Sequence, residues 1–271
     1  MEDRTTPATG STTPTSAHSS AASADNLRAQ NSRSPLLRPG TDAADAYRRL
    51  YERVDALLRD RAEVAGLTVP ACPSWTVRET VAHLAGTAQD IASLNLEGVA
   101  TDTWTKAQVD RLAHLGLDEL LELWGQVIDT VAVRVGQDGL ERPAGQLVFD
   151  SLTHEHDIRG ALSEPGTRTD DPVYAVAIGF LTTNYDEMAR TSELPALELT
   201  TPTTGTTQLG DPCLATEQVA VSVSDFEALR AFGGRRSVRQ LLALPWRGDP
   251  KGVLPALSND AIRPPVNDLI E

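Results

Sequence analysis

From Thr41 to about Leu194 apolar side chains recur at three- and four-residue intervals, and beyond Leu194 the period becomes alternating. This change of period constrains the fold more than any other feature. It predicts a mainly α chain, in which an all-helical unit is followed by a small α/β unit. Tyr47, Leu50, Tyr51, Val54, Leu57 and Leu58 mark a first amphipathic helix. In "CPSWTVRETVAHLAG", Thr76 and Glu79 form a capping box that opens a second helix, with Val77, Val81, Leu84, Ala88 and Ile91 as its buried stripe. "WTKAQVDRLA" is a short helical piece, "LDELLELWGQVIDTVAVRV" from Leu117 is a third long helix, and a fourth runs from about Gln146 to Leu162. Asp171 caps a fifth, with Pro172 at its first position.

Past Leu194, "ALELTTPTTGTTQLG" holds two β-like runs around a glycine-containing turn, and "EQVAVSVS" is a third. Ser224 with Glu227 and Ser237 with Gln240 start two further short helices. The expected organisation is a disordered Thr/Ser/Ala/Pro-rich tail over 1–40, a helical bundle over 41–194, a small α/β unit over 195–258 and a loose tail over 259–271.

A formal charge of −14 opposes a nucleic-acid surface, which needs clustered Lys and Arg to displace counterions. No run of apolar residues is long enough to span a membrane, and "MEDRTTPATGSTTPTSAHSS" lacks the apolar core of a secretory signal, so the expected location is the cytosol. Cys72 and Cys213, far apart and outside any CxxC pair, exclude a disulfide framework and a cysteine zinc cluster. Small molecules are the expected partners, with the chain a monomer or homodimer.

At roughly 100° per residue, Asp150, His154, Ile158 and Ala161 share one stripe of the fourth helix with Leu147. Asp150 and His154 are therefore core-facing and one turn apart, while His156 is expected to face solvent. Such a pair is either a buried hydrogen-bonded couple or part of a metal site, which helical bundles build from ligands on facing helices. A metal needs a third ligand. Of the five histidines, His18 lies in the tail, His114 precedes Gly116 at a helix junction and His156 faces outward, leaving His83 on the second helix, with Thr80, Thr87 and Asp90 on the same side. Two imidazoles and one carboxylate suit Zn²⁺ or another divalent ion with open positions.

"CPSWTVRETVAHLAG" resembles a signature of the mycothiol-dependent maleylpyruvate isomerase family, Cys-Pro-Gly-Trp-Thr-Val-Arg-Asp followed by Ala-His-Leu. "DSLTHEHDIRGAL" resembles its second signature, a carboxylate, then His four residues later, then Asp-Ile/Leu-Arg, and "ALRAFGGRRSVRQLLALPWRGDP" resembles its C-terminal one. The resemblance covers about Thr41 to Lys251 and implies a DinB-like four-helix bundle holding a divalent metal through His83, Asp150 and His154. Two departures stand out: Asp150 replaces the longer Glu of the characterised isomerase pattern, and Ser74 replaces Gly before Trp75.

The function this implies is a metal-dependent enzyme, with zinc as the expected metal, that uses mycothiol as a thiol cosubstrate. It would isomerise maleylpyruvate-like substrates cis–trans or transfer sulfur to a small-molecule electrophile. Two alternatives stand beside it: a non-catalytic module that binds a small ligand or a protein, and a metal-dependent hydrolase. Arg235 and Arg236, before the Ser237 cap, are candidates for holding a substrate or thiol carboxylate, or for a solvated or domain-bridging role. Asp157 is a candidate second partner of a ligand, and Arg159 a helix-bridging residue, with an ordinary helix salt bridge as the competing reading. Cys72 has no evident activating partner and reads as a packing cysteine, and Trp75 as a core anchor.

Overall fold

The computed structural model describes residues 36–166, 168, 171–214, 219–258 and 263–271. All but the last residues of the expected N-terminal tail lie outside that set. Helix α1 (Gly40–Leu58) turns Ala43, Tyr47, Leu50, Val54 and Leu58 inward, as its spacing requires. A two-stranded hairpin, β1 (Thr68–Val69) with β2 (Cys72–Thr76), then delivers the chain into α2 (Val77–Ser93). The capping box is present: Thr76 Oγ1 accepts from the Glu79 amide at 3.3 Å, and the Thr76 amide donates to Glu79 Oε2 at 2.8 Å. The hairpin is a feature the sequence reading took for a plain turn.

Short α3 (Asp102–Arg111) lies against α2, and α4 (Leu117–Val135) follows. Helix α5 spans Glu141–Leu162, starting five residues before the expected Gln146, because Pro143 falls in the first turn where a missing N–H breaks no intrahelical bond. Helix α6 (Pro172–Thr191) begins at its Asp171 cap, whose carboxylate accepts from the Val173 amide at 2.9 Å. In the bundle α2 packs along α4, α4 along α1 and α1 along α5, while α2 and α5 close the ring loosely. Buried Trp124 on α4 ties the centre, its indole N–H donating to the Tyr47 hydroxyl at 2.9 Å.

Between Thr191 and Leu197 the architecture changes, near the expected Leu194. Strands β3 (Leu197–Thr201), β4 (Gly205–Leu209), β5 (Val219–Ser222) and β6 (Trp246–Arg247) form a sheet of order β4-β3-β5-β6, with β3–β5 parallel and its other pairs antiparallel. Helices α7 (Asp225–Phe232) and α8 (Val238–Leu242) complete it, and α7 packs onto α5 and α6. The chain is thus mainly α, a helical bundle followed by a small α/β unit. Among the described residues no helix is long and apolar enough to cross a membrane.

Two expectations need correction. The tail from 263 is tied down: Glu271 pairs with Arg230 and Arg236, and Leu269 exchanges backbone hydrogen bonds of 2.8 and 3.2 Å with the Gln240 side chain. The arginines and Gln240 of α7, α8 and their junction supply partners that a hydrophobic pattern cannot reveal. The second correction is that α5 is buried nearly all round, from Ala144 to Ile158 on both faces. The register expected to expose His156 instead points it at α6 and α7.

Candidate metal centre and its cavity

Asp150 and His154 emerge one turn apart on α5, and His83 faces them from α2. Asp150 Oδ2 lies 3.2 Å from His83 Nε2, and Asp150 Oδ1 lies 3.6 Å from His154 Nε2. One donor atom from each residue falls within 4.8 Å of the others, the grouping that a single small cation requires. The two imidazoles meet edge to face at 5.2 Å, and Trp75 at the end of β2 covers both, with ring centroids 5.4 and 5.8 Å away. Trp75 is therefore a wall of the site and not only an anchor of the helix start.

The far nitrogen of each ring faces an oxygen, in a hydrogen bond at His83 and in an ion-pair approach at His154. Gln108 on α3 directs its amide N–H at Asp90 Oδ2, 2.9 Å away, so its carbonyl must face His83 Nδ1, also 2.9 Å away. Asp90 is in turn held by Arg111 at 2.9 Å. The His83 Nδ1–H thus donates to the Gln108 carbonyl, which leaves Nε2 as the nitrogen that faces Asp150. Gly86 makes the arrangement possible, because a Cβ there would stand 2.6 Å from Gln108 Cβ.

His154 Nδ1 lies 3.1 Å from Asp157 Oδ2. Asp157 has no exposed side-chain surface and is gripped by Arg230 at 2.8 Å and Arg235 at 2.9 Å. Burial alone would raise its pKa, but Arg235 and Arg230 hold its carboxyl well below the usual carboxylate range. Burial likewise opposes charge on His154, yet Asp150 and Asp157 outweigh it and push the imidazole up to about 10. Asp150 is lowered, its desolvation overcome by His83 and His154. The centre is built to hold positive charge between carboxylates. Two imidazoles with oriented Nε2 atoms and an ionised carboxylate between them fit a divalent ion.

Arg235 and Arg236, adjacent in sequence, part company here. Arg235 reaches Asp157 and the Cys72 sulfur, 3.5 Å from its Nη2, so Cys72 does have a cationic neighbour. The Cys72 thiol also donates toward Asp157 Oδ2 at 3.6 Å, and Cys72, His154 and Asp157 form a second convergent group. Arg236 is buried against Glu227 and Glu271, each at 2.7 Å, and lines no part of the cavity described below. Arg159 makes an i,i+4 ion pair with Glu155 at 2.9 Å. His114 is exposed, and His18 lies outside the described residues. His156, only 4% exposed, bonds the Tyr174 hydroxyl at 2.8 Å and stands edge-on to Phe226.

Gln108 is the site residue that sequence reasoning passed over. Its signal was faint: a polar side chain on a short helix with no apolar stripe. A cavity of about 540 Å³ opens beside the centre between α2 and α5, and His83, Asp150 and His154 form part of its wall.

Residues 44–164 match the family model described as the mycothiol maleylpyruvate isomerase N-terminal domain. No curated protein matches the sequence. Among solved structures, the chain is similar to the crystal structure of the mycothiol-dependent maleylpyruvate isomerase, at 16% identity and TM-score 0.46 over 73% of this chain and 90% of that one. A mutant of that isomerase is similar at 15% identity, with the same TM-score and coverage. Over residues 44–164, somewhat less than half of its length, the chain is therefore similar to the mycothiol maleylpyruvate isomerase N-terminal domain.

Proposed function

We propose that this chain is a divalent-metal-dependent enzyme that uses a low-molecular-weight thiol, mycothiol, for isomerisation of, or sulfur transfer to, a conjugated electrophile. The observation that carries the reading is the convergence of His83, Asp150 and His154, with Gln108 and Asp157 placed against the far nitrogens of the two rings. The similarity of residues 44–164 to the mycothiol maleylpyruvate isomerase N-terminal domain supports the thiol. His83, Asp150 and His154 would hold the metal, zinc being the best fit to a mixed imidazole and carboxylate set. When bound, the ion would lower the pKa of a thiol at an open position and so provide thiolate at neutral pH.

The protein's own groups do the rest. Gln108 and Asp157 keep each ring's Nε2 toward the centre, and Arg230 and Arg235 keep Asp157 ionised. Trp75 shields the imidazoles from water on one side, and the cavity holds the electrophile beside them. The thiolate sulfur adds to one carbon of the double bond, and the electron pair moves onto the conjugated carbonyl oxygen. The former double bond can then rotate. Return of the electron pair expels thiolate and leaves the trans isomer; protonation of the adduct instead leaves a stable thioether.

The test is turnover of a conjugated enone by zinc-loaded full-length protein with and without mycothiol. Thiol-dependent isomerisation or thioether formation supports the reading. Hydrolysis of an activated ester without thiol would move it to a metal-dependent hydrolase, and thiol-independent ligand binding without turnover to a non-catalytic module.

A further inference from the structure

The groups that line the cavity differ along α2. His83, Asp150 and His154 stand together in one part of the wall; Arg134 lines it elsewhere, the sole Arg or Lys among the lining residues. Arg134 donates from Nη2 to the carbonyl of Ala92 at 3.0 Å. Ala92 lies nine residues beyond His83 on α2. At 1.5 Å rise per residue this puts Arg134 about 13 Å along the helix from the metal centre. Ile91, Leu96, Trp104, Leu147 and Phe149 are among its apolar walls, and Leu94 and Val99, which also line it, are exposed to solvent.

Arg134 forms no ion pair among the described residues, and its Nε is buried without a hydrogen-bond partner. A guanidinium left in that condition is a site for one anion. A short dicarboxylate would fare badly here. Among the lining residues Arg134 is its one Arg or Lys partner, so a second carboxylate would be left to neutral groups such as Thr87, Thr105, Gln137 and Gln146, which compensate a charge poorly.

We propose that the electrophile accepted here is an elongated, mainly hydrocarbon monocarboxylate, its carboxylate on Arg134 and its reactive carbons at the metal centre. An extended chain advances about 1.2 Å per bond, so a body of about ten carbons reaches from Arg134 to the metal centre. The placing of the reactive carbons at the metal centre rests on the function proposed above; the binding of the chain does not.

Binding to chelator-treated, full-length protein therefore tests it separately, with decanoate, decanol and maleate as probes followed by tryptophan fluorescence and calorimetry. Decanoate is expected to bind at least tenfold more tightly than decanol, and maleate not to bind in the same range. In Arg134→Leu, decanoate should fall to the decanol level with decanol unchanged. Arg134→Gln keeps a donor for Ala92 and serves the same purpose if the leucine variant folds poorly. Maleate binding as tightly as decanoate, no decanoate binding, or unchanged decanoate affinity in both variants overturns the proposal. Failure of thiol-dependent turnover with decanoate binding intact would instead count against the function alone.

Discussion

The side-chain carbonyl of Gln108 stands 2.9 Å from His83 Nδ1, and its direction is dictated by Asp90 on the other side of the same amide. Through this contact α3, which contributes no ligand, decides which nitrogen of His83 can meet a metal. Gln108→Leu removes the acceptor while keeping similar volume. The variant is expected to bind zinc about 10–100-fold more weakly than the parent in a chelator competition titration. Affinity equal to the parent's would show that His83 is oriented by something else.

Gly86 lets α3 approach α2. In a free helix, alanine at a glycine position stabilises by about 1 kcal/mol. Here the new methyl would sit 2.6 Å from Gln108 Cβ, and overpacking of this kind costs about 1–3 kcal/mol. Gly86→Ala should therefore lower the urea midpoint and weaken zinc binding together. A rise in stability would mean that α3 yields without cost.

Asp157 sits between two arginines and His154, wholly buried. Asp157→Asn leaves Arg230 and Arg235 facing each other with no charge between them. Loss of one member of such a buried group costs about 3–5 kcal/mol, far more than an exposed pair would. Chemical denaturation at neutral pH checks this. A loss under 1 kcal/mol would show that Glu271, also bound to Arg230, compensates.

His156 gives the fold an acid-sensitive element. Burial, then the charges of Arg230, Arg53, Arg159 and Arg168, push its pKa from 6.5 down to about 3. In that interval the unfolded chain takes up a proton that the folded chain refuses, so this contribution to stability is present above pH 6.5 and is lost as pH falls toward 3. The slope is at most about 1.4 kcal/mol per pH unit. His156→Gln should flatten the fall in stability between pH 6.5 and 4.5 and leave metal content unchanged. An acid slope identical to the parent's would contradict it.

Much of this was legible in the sequence for a physical reason: capping boxes and apolar stripes are local. They located α1, α2 and α4, the Asp171 cap and the change from helices to strands, and the register of α5 placed Asp150 and His154 on one face. What sequence missed depends on contacts across the chain. His156 was expected in solvent because a helical wheel shows one apolar stripe, whereas the other face of α5 is covered by Tyr174, Phe226 and arginines that neutralise its carboxylates. Gln108 matters only because Gly86, 22 residues earlier, lets it in. Cys72 and Trp75 reach the centre through a hairpin whose strand contains Pro73, a residue that argues against strand in any local reading.

The central claim is that His83, Asp150 and His154 hold one divalent ion. Metal stoichiometry of the full-length protein, measured by elemental analysis after zinc loading and gel filtration, tests it most directly. One zinc per chain is predicted for the parent and for His156→Gln, and none for His83→Ala or His154→Ala with the fold intact by circular dichroism. Zinc retained in both alanine variants, or absent from the loaded parent, would contradict the account.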